Sequence, residues 1–323
     1  MFSGCSQNSD TSPQKLYGSD SDYYIALRKI GTYDEKEAVR LLQRCAKNGS
    51  AYAARRSAET LTTLGNVKDR LEACTELVKT YKDSDALLTA CREYKNDEEY
   101  SQIIVLTGKT DILTADNELV YLHLISLAKR SDDKFASEMY TWFTQRPMSE
   151  WHYRLFSDTA NDDASDQNKI INFRVEVYQR SYHTAYAKMA DIRRITGQGG
   201  SYPLTAQLVS DMGKACLYGS TDNLANARLF NQIADTAGKN DNDIAYNAWF
   251  YAGRIYDKSD DSFSTAQSRF TRALTCAKTD RQYDNALWYL LNDSLRDSPD
   301  NTISMLKKYC TTWHDPAYFD DFF

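Results

Sequence analysis

Residues 245–274 read AYNAWFYAGRIYDKSDDSFSTAQSRFTRAL, and their spacing decides the fold. Trp249, Ala252, Gly253 and Tyr256 fall at offsets 0, 3, 4 and 7, which places them on one face of an α-helix. Ala266, Phe270 and Ala273 follow at offsets 0, 4 and 7 and form a second apolar face. The polar segment KSDDS between the two runs predicts a turn. The small residues Ala252, Gly253, Ala266 and Ala273 let two helices approach, and Trp249, Tyr256 and Phe270 fill the space around them. A helix–turn–helix unit this short cannot bury its apolar face alone, so it requires neighbours stacked on both sides.

The pattern Trp-x2-Ala-Gly-x2-Tyr followed by Ala-x3-Phe-x2-Ala resembles a tetratricopeptide repeat. It departs from that repeat by one extra residue between Tyr256 and Ala266 and by the absence of the closing Pro. The resemblance implies an all-α chain, an α-solenoid or superhelix of helix–turn–helix repeats that acts as a scaffold. Ala38, Leu42 and Cys45, far away in the chain, repeat the Ala-x3-large-x2-small spacing of Ala266–Ala273.

Outward from this pair, helical periodicity extends in both directions. Tyr23, Leu27 and Ile30 mark a first helix, and further helices are predicted over 50–64, 66–81, 84–95, 97–108, 115–130 and 132–145. Asn66 and Ser84 are suited to cap two of them. A short helix is predicted within SEWHYRLFSDT, between Pro147 and the polar stretch 158–168. Ile171, Val175, Tyr178, Tyr182 and Tyr186 predict one long helix over 168–189. GQGGSYP at 197–203 is the most loop-like internal stretch and a candidate hinge. Helices resume over 204–218 and 223–237, and a last pair is expected over 281–295 and 300–312. The expected organisation is a polar tether over 1–20, an N-terminal helical array over 21–196 and a C-terminal repeat region over 204–323.

Composition narrows the function. The chain has 323 residues, a net charge of −6 and no basic block, which argues against a nucleic-acid partner. No apolar run approaches the roughly 18–20 residues of a membrane helix. The seven cysteines, at positions 5, 45, 74, 91, 216, 276 and 310, form no CxxC pair and have no His at metal-ligand spacing. His123, His152, His183 and His314 are isolated from one another, and no Ser-His-Asp arrangement or HExxH motif occurs. No catalytic residue, metal ligand or cofactor site is therefore expected. GQGGSYP lacks the preceding strand and following Lys-Ser/Thr of a phosphate loop.

Two further resemblances bear on function. FSGC at residues 2–5 is similar to the end of a bacterial lipoprotein signal, where small residues precede the lipidated Cys. That similarity makes Cys5 a candidate lipidation site on an exported, membrane-anchored protein of the periplasm; a frayed tail on a cytoplasmic protein is the alternative. The region 245–323, through YDNALWYLL at 283–291 and WHDPAYFDDFF at 313–323, resembles the α-superhelical part of periplasmic lytic transglycosylases. Catalysis in that family needs a Glu-Ser pair in a separate lysozyme-like domain, and no Glu-Ser pair occurs here. The aromatic end at Phe322 and Phe323 raises the expectation that more protein follows.

In tetratricopeptide repeats, the first-helix face corresponding to 247, 250, 251, 254 and 257 looks into the binding groove. The resemblance thus nominates Asn247, Tyr251 and Arg254, and a shift of 38 residues adds Asn285 and Asn292. The expected function is a non-catalytic scaffold of the bacterial cell envelope that binds a protein or peptide partner in this groove. The alternative is the superhelical module of a peptidoglycan lytic transglycosylase, with peptidoglycan as partner. Membrane contact is expected only through a lipid anchor.

Overall fold

A computed structural model of the chain describes residues 16–159, 165–197, 199–259 and 263–309. Every regular element among the described residues is helical, and most helices pack on a neighbour in sequence. The chain divides into two units, Met1–Phe135 and Ala136–Phe323. The expected lipidation site, Cys5, lies outside the described residues, as do His314 and the aromatic end.

The first unit contains α1 (Ser21–Lys29), α2 (Glu35–Asn48), α3 (Ala51–Leu61), α4 (Val67–Tyr81), α5 (Ser84–Asn96), α6 (Tyr100–Thr107) and α7 (Asn117–Lys129). Small residues seat the helices closely: Ala26, Ala38 and Leu42 pack with Leu61 and Ala73, and Ala58, Cys74 and Leu77 pack with Ala86 and Ala90. The Ala38, Leu42, Cys45 face is buried, in agreement with the spacing. Asn66 caps α4 in a capping box with Asp69. At α5 the cap is Asp83 rather than Ser84; its carboxylate accepts from the Asp85 and Ala86 amides, leaving Ser84 as the first helical residue. His123 on α7 is buried, with Thr107 Oγ1 2.8 Å from its Nδ1.

The second unit contains most of α8 (Lys134–Gln145), then α9 (Glu150–Asp158), α10 (Asp166–Tyr178), α11 (Tyr182–Ala187), α12 (Met189–Thr196), α13 (Ala206–Gly219), α14 (Asn223–Asp235), α15 (Asn242–Asp257), α16 (Phe263–Cys276), α17 (Asp280–Asp297) and α18 (Pro299–Tyr309). The pair read from 245–274 is α15 and α16. A Cβ placed on Gly253 would lie 2.7 Å from Phe270 Cε1, so the glycine is what lets the ring of α16 reach the backbone of α15. Trp249, Ala252, Ala266, Phe270 and Ala273 are all buried. The helices α13, α15 and α17 are also in lateral contact, α15 with each of the other two.

Two features differ from the spacing. The continuous helix predicted over 168–189 is broken between α10 and α11. Arg180 adopts φ 61°, and the Ser181 amide closes the end of α10 by donating to the Glu176 carbonyl at 2.8 Å. Residues 197–203 do not separate two cores. Tyr202 N–H donates to Ile195 O at 3.2 Å, and one buried cluster runs from Ile170 through Ile195 and Leu208 to Ala286.

Candidate functional site

The nominated groove residues are distributed over α15 and α17. Asn247, half-buried, donates from Nδ2 to the Ala206 carbonyl at the start of α13, 2.9 Å away. Tyr251, one turn further, is 7% exposed. Its ring lies directly over Gly213, where any side chain would collide with it, and its hydroxyl is 3.3 Å from Ser210 Oγ. Burial raises the Tyr251 pKa above the ordinary phenol value. Arg254 continues the same face: its Nη2 donates to the Tyr218 hydroxyl at 3.2 Å. Asn285 and Asn292 are half-buried on α17, and their spacing places them on the face that also carries Tyr289 and Arg296.

A ladder of side-chain bonds thus ties α15 to α13: 247 to 206, 251 to 210, 254 to 218, and finally Lys258 Nζ to the Leu217 carbonyl at 2.7 Å. On the opposite flank, Arg254 lies over the Tyr289 ring of α17, 4.3 Å from its centroid, and Arg296 pairs with Asp257. Phe250 packs edge-on against Tyr289 at 5.4 Å. Arg254 thus touches both flanking helices from α15.

At the C-terminal end of α15 the ladder opens into a pocket of about 400 Å³. Leu217, Tyr218, Arg254, Asp257, Lys258 and Arg296 line it. Behind Asp257 sits Asp293, fully buried, with neither carboxylate oxygen receiving a donor among the described residues. Burial first, then the neighbouring carboxyl of Asp257, push the Asp293 carboxyl well above the usual carboxylate range.

A second polar cluster lies deeper. Arg174 of α10 pairs with Asp211 of α13 at 2.6 Å, with side chains 1% and 6% exposed. The same guanidinium donates to the carbonyls of Phe143 and Arg146 at the end of α8, and Lys214 reaches Asp211 Oδ1 at 3.0 Å. His152, fully buried, stacks on Trp142 with centroids 3.6 Å apart. It accepts at Nδ1 from the Ser149 amide at 3.2 Å, which assigns the proton of the neutral ring to Nε2. Burial, with Arg174 adding to it, pushes the His152 pKa down to about 3. The contacts of Arg174, Asp211 and His152 hold helices together, so this cluster is a structural one.

Among the described residues no group of His, Cys, Asp and Glu could hold a metal ion, and no helix is long and apolar enough to cross a membrane. The sequence spacing nominated Arg254 but not Lys258 or Arg296. The available signal was Arg254-x3-Lys258, two cations one turn apart at a helix end. No family model and no curated protein sequence matches the chain.

Proposed function

We propose that the chain is a non-catalytic helical-repeat scaffold, of tetratricopeptide-like design, that binds a protein or peptide partner on the face built by α13, α15 and α17. The observation that supports this is the lateral ladder between these helices. It fixes three alternate helices side by side, and this face carries the polar, half-buried side chains Asn247, Arg254, Asn285 and Asn292. Such a row is a surface for recognition: the rigid helices hold the polar groups in register with one another. Lipid anchoring through Cys5 would place the scaffold in the periplasm of a bacterial envelope, with the protein partner there.

The alternative, a superhelical module of a peptidoglycan lytic transglycosylase, draws support from the aromatic rings at this face. Tyr218 is 55% exposed, and its flat ring is of the kind that stacks on sugars. A photo-cross-linking side chain at Asn292, compared with one at the exposed Val105, tests the scaffold. A partner protein captured from position 292 and not from 105 supports it. Equal capture at both positions removes the basis for this face. Retention of the unmodified chain on purified peptidoglycan, without protein capture, favours the alternative.

A further inference from the structure

The pocket at the end of α15 carries an excess of positive charge. Three of its six lining side chains are cations, Arg254, Lys258 and Arg296, and one is a carboxylate, Asp257. Three positive charges less one negative charge leave two. Asp293 is not part of this lining: it is fully buried behind Asp257 and receives no donor from the described residues. The pairing of Asp257 with Arg296 leaves Arg254 and Lys258, and neither has a carboxylate partner among the described residues.

Both of these cations are held in place. Arg254 is fixed by the Tyr289 ring beneath its plane, 4.3 Å away, and by the Tyr218 hydroxyl. Lys258 uses one of its three N–H groups on the Leu217 carbonyl. Charged donors fixed before a ligand arrives lose little freedom on binding it. A guanidinium fork beside an ammonium matches the several oxygens of an oxyanion, and two uncompensated charges match a dianion better than a monoanion. The cavity exceeds a bare phosphate in size, and Tyr218 offers an exposed ring at its rim.

We propose that this pocket is a binding site for a phosphoryl dianion, with Arg254 and Lys258 as its charge-bearing contacts and Tyr218 as the wall for the organic group of a phosphate monoester. The site does not depend on the scaffold function and stands if that function fails.

The test is thermal unfolding of the full chain at fixed pH and constant ionic strength, with inorganic phosphate, phenyl phosphate or acetate added. Phosphorus NMR line broadening of the same two phosphates gives the affinity. Both phosphates raise the melting temperature in a saturable way, and acetate at equal ionic strength does not. R254Q and K258M each weaken phosphate binding at least tenfold, whereas R193Q, in the separate cleft lined by Leu204, Met212 and Leu229, leaves it unchanged. Tighter binding of phenyl phosphate assigns the site to an ester; equal binding assigns it to inorganic phosphate. Lys258 is exposed at a helix end, so K258M carries the test if R254Q fails to fold by circular dichroism. No saturable phosphate effect beyond that of acetate, or an effect that persists unchanged in K258M, overturns the proposal.

Discussion

Arg174 and Asp211 form an ion pair closed off from water, Nε to Oδ2 2.6 Å, linking α10 to α13. Nη1 of the same guanidinium serves two carbonyls at the end of α8, so three helices meet on one side chain. Removing one partner leaves a buried charge without compensation, which costs about 3–5 kcal/mol. Asp211→Ala is expected to lower the unfolding free energy by about that amount in urea titration. The double variant Arg174→Met, Asp211→Leu is expected to lose clearly less than Asp211→Ala alone, because no fully buried charge is orphaned; Lys214, the other partner of Asp211, has a 40% exposed side chain that water can solvate.

Gly253 and Phe270 offer a packing test of the α15–α16 pair. The added methyl of Gly253→Ala would press on a fully buried ring. Overpacking of this kind costs about 1–3 kcal/mol. Phe270→Leu in the same chain should restore part of the loss, and the two effects should be non-additive in a double-mutant cycle. Additive losses would mean that the two helices do not meet at this point.

Two buried groups give the chain opposing pH responses. His152 titrates lower in the folded chain than in the unfolded one, so the unfolded state takes up its proton first as the pH falls below about 6.5. Stability relative to His152→Phe should therefore be intact above pH 6.5 and should decline by up to about 1.4 kcal/mol per unit below it. Asp293 titrates higher in the folded chain, so its contribution is complete in acid and is lost as the pH rises beyond the ordinary carboxylate range. Asp293→Asn should be more stable than the parent at pH 8, and the gain should vanish near pH 4. Chemical denaturation of both variants between pH 4 and 8 separates the two slopes, which partly cancel in the parent.

The cysteines should differ in reactivity. Burial pushes Cys74 up to about 11 and Cys91 and Cys216 up to about 12, so almost no thiolate exists at pH 8. Cys276 is only half-buried. Iodoacetamide at pH 8 should label Cys276 well before Cys45, Cys74, Cys91 and Cys216 in the folded chain, as read by peptide mass spectrometry. Equal labelling of Cys216 and Cys276 would show that the core around α13 opens readily.

The helix pairs were legible because their apolar faces repeat at helical spacing. Trp249, Gly253 and Phe270 define one pair, and Ala38 and Leu42 mark another. Several helix ends were not legible, because they use no Gly or Pro. Lys82, Glu98, Ser131 and Arg180 all take positive φ, and each is a residue type for which that conformation costs about 1–2 kcal/mol. Tertiary packing overrides the local preference there. At Arg180 it interrupts a face, Val175 to Tyr186, that the spacing alone continues. The candidate site was half legible for a related reason. Repeat resemblance points to Arg254 through its register in α15, whereas Arg296 enters the pocket, and Asp293 lies buried behind it, from a helix about 40 residues away. The Arg174–Asp211 pair, 37 residues apart, has no periodic signal at all.

The single core spanning residues 197–203 has a consequence for how the second unit would come apart. Ile170, Phe173 and Ile195 precede that connection, and Leu208, Met212 and Phe230 follow it, yet all belong to one buried cluster. The covalent link between the two sides is thus redundant with the surfaces they share. A chain severed there would persist as two peptides clasped together, and separately expressed halves would find each other in solution and refold as one body.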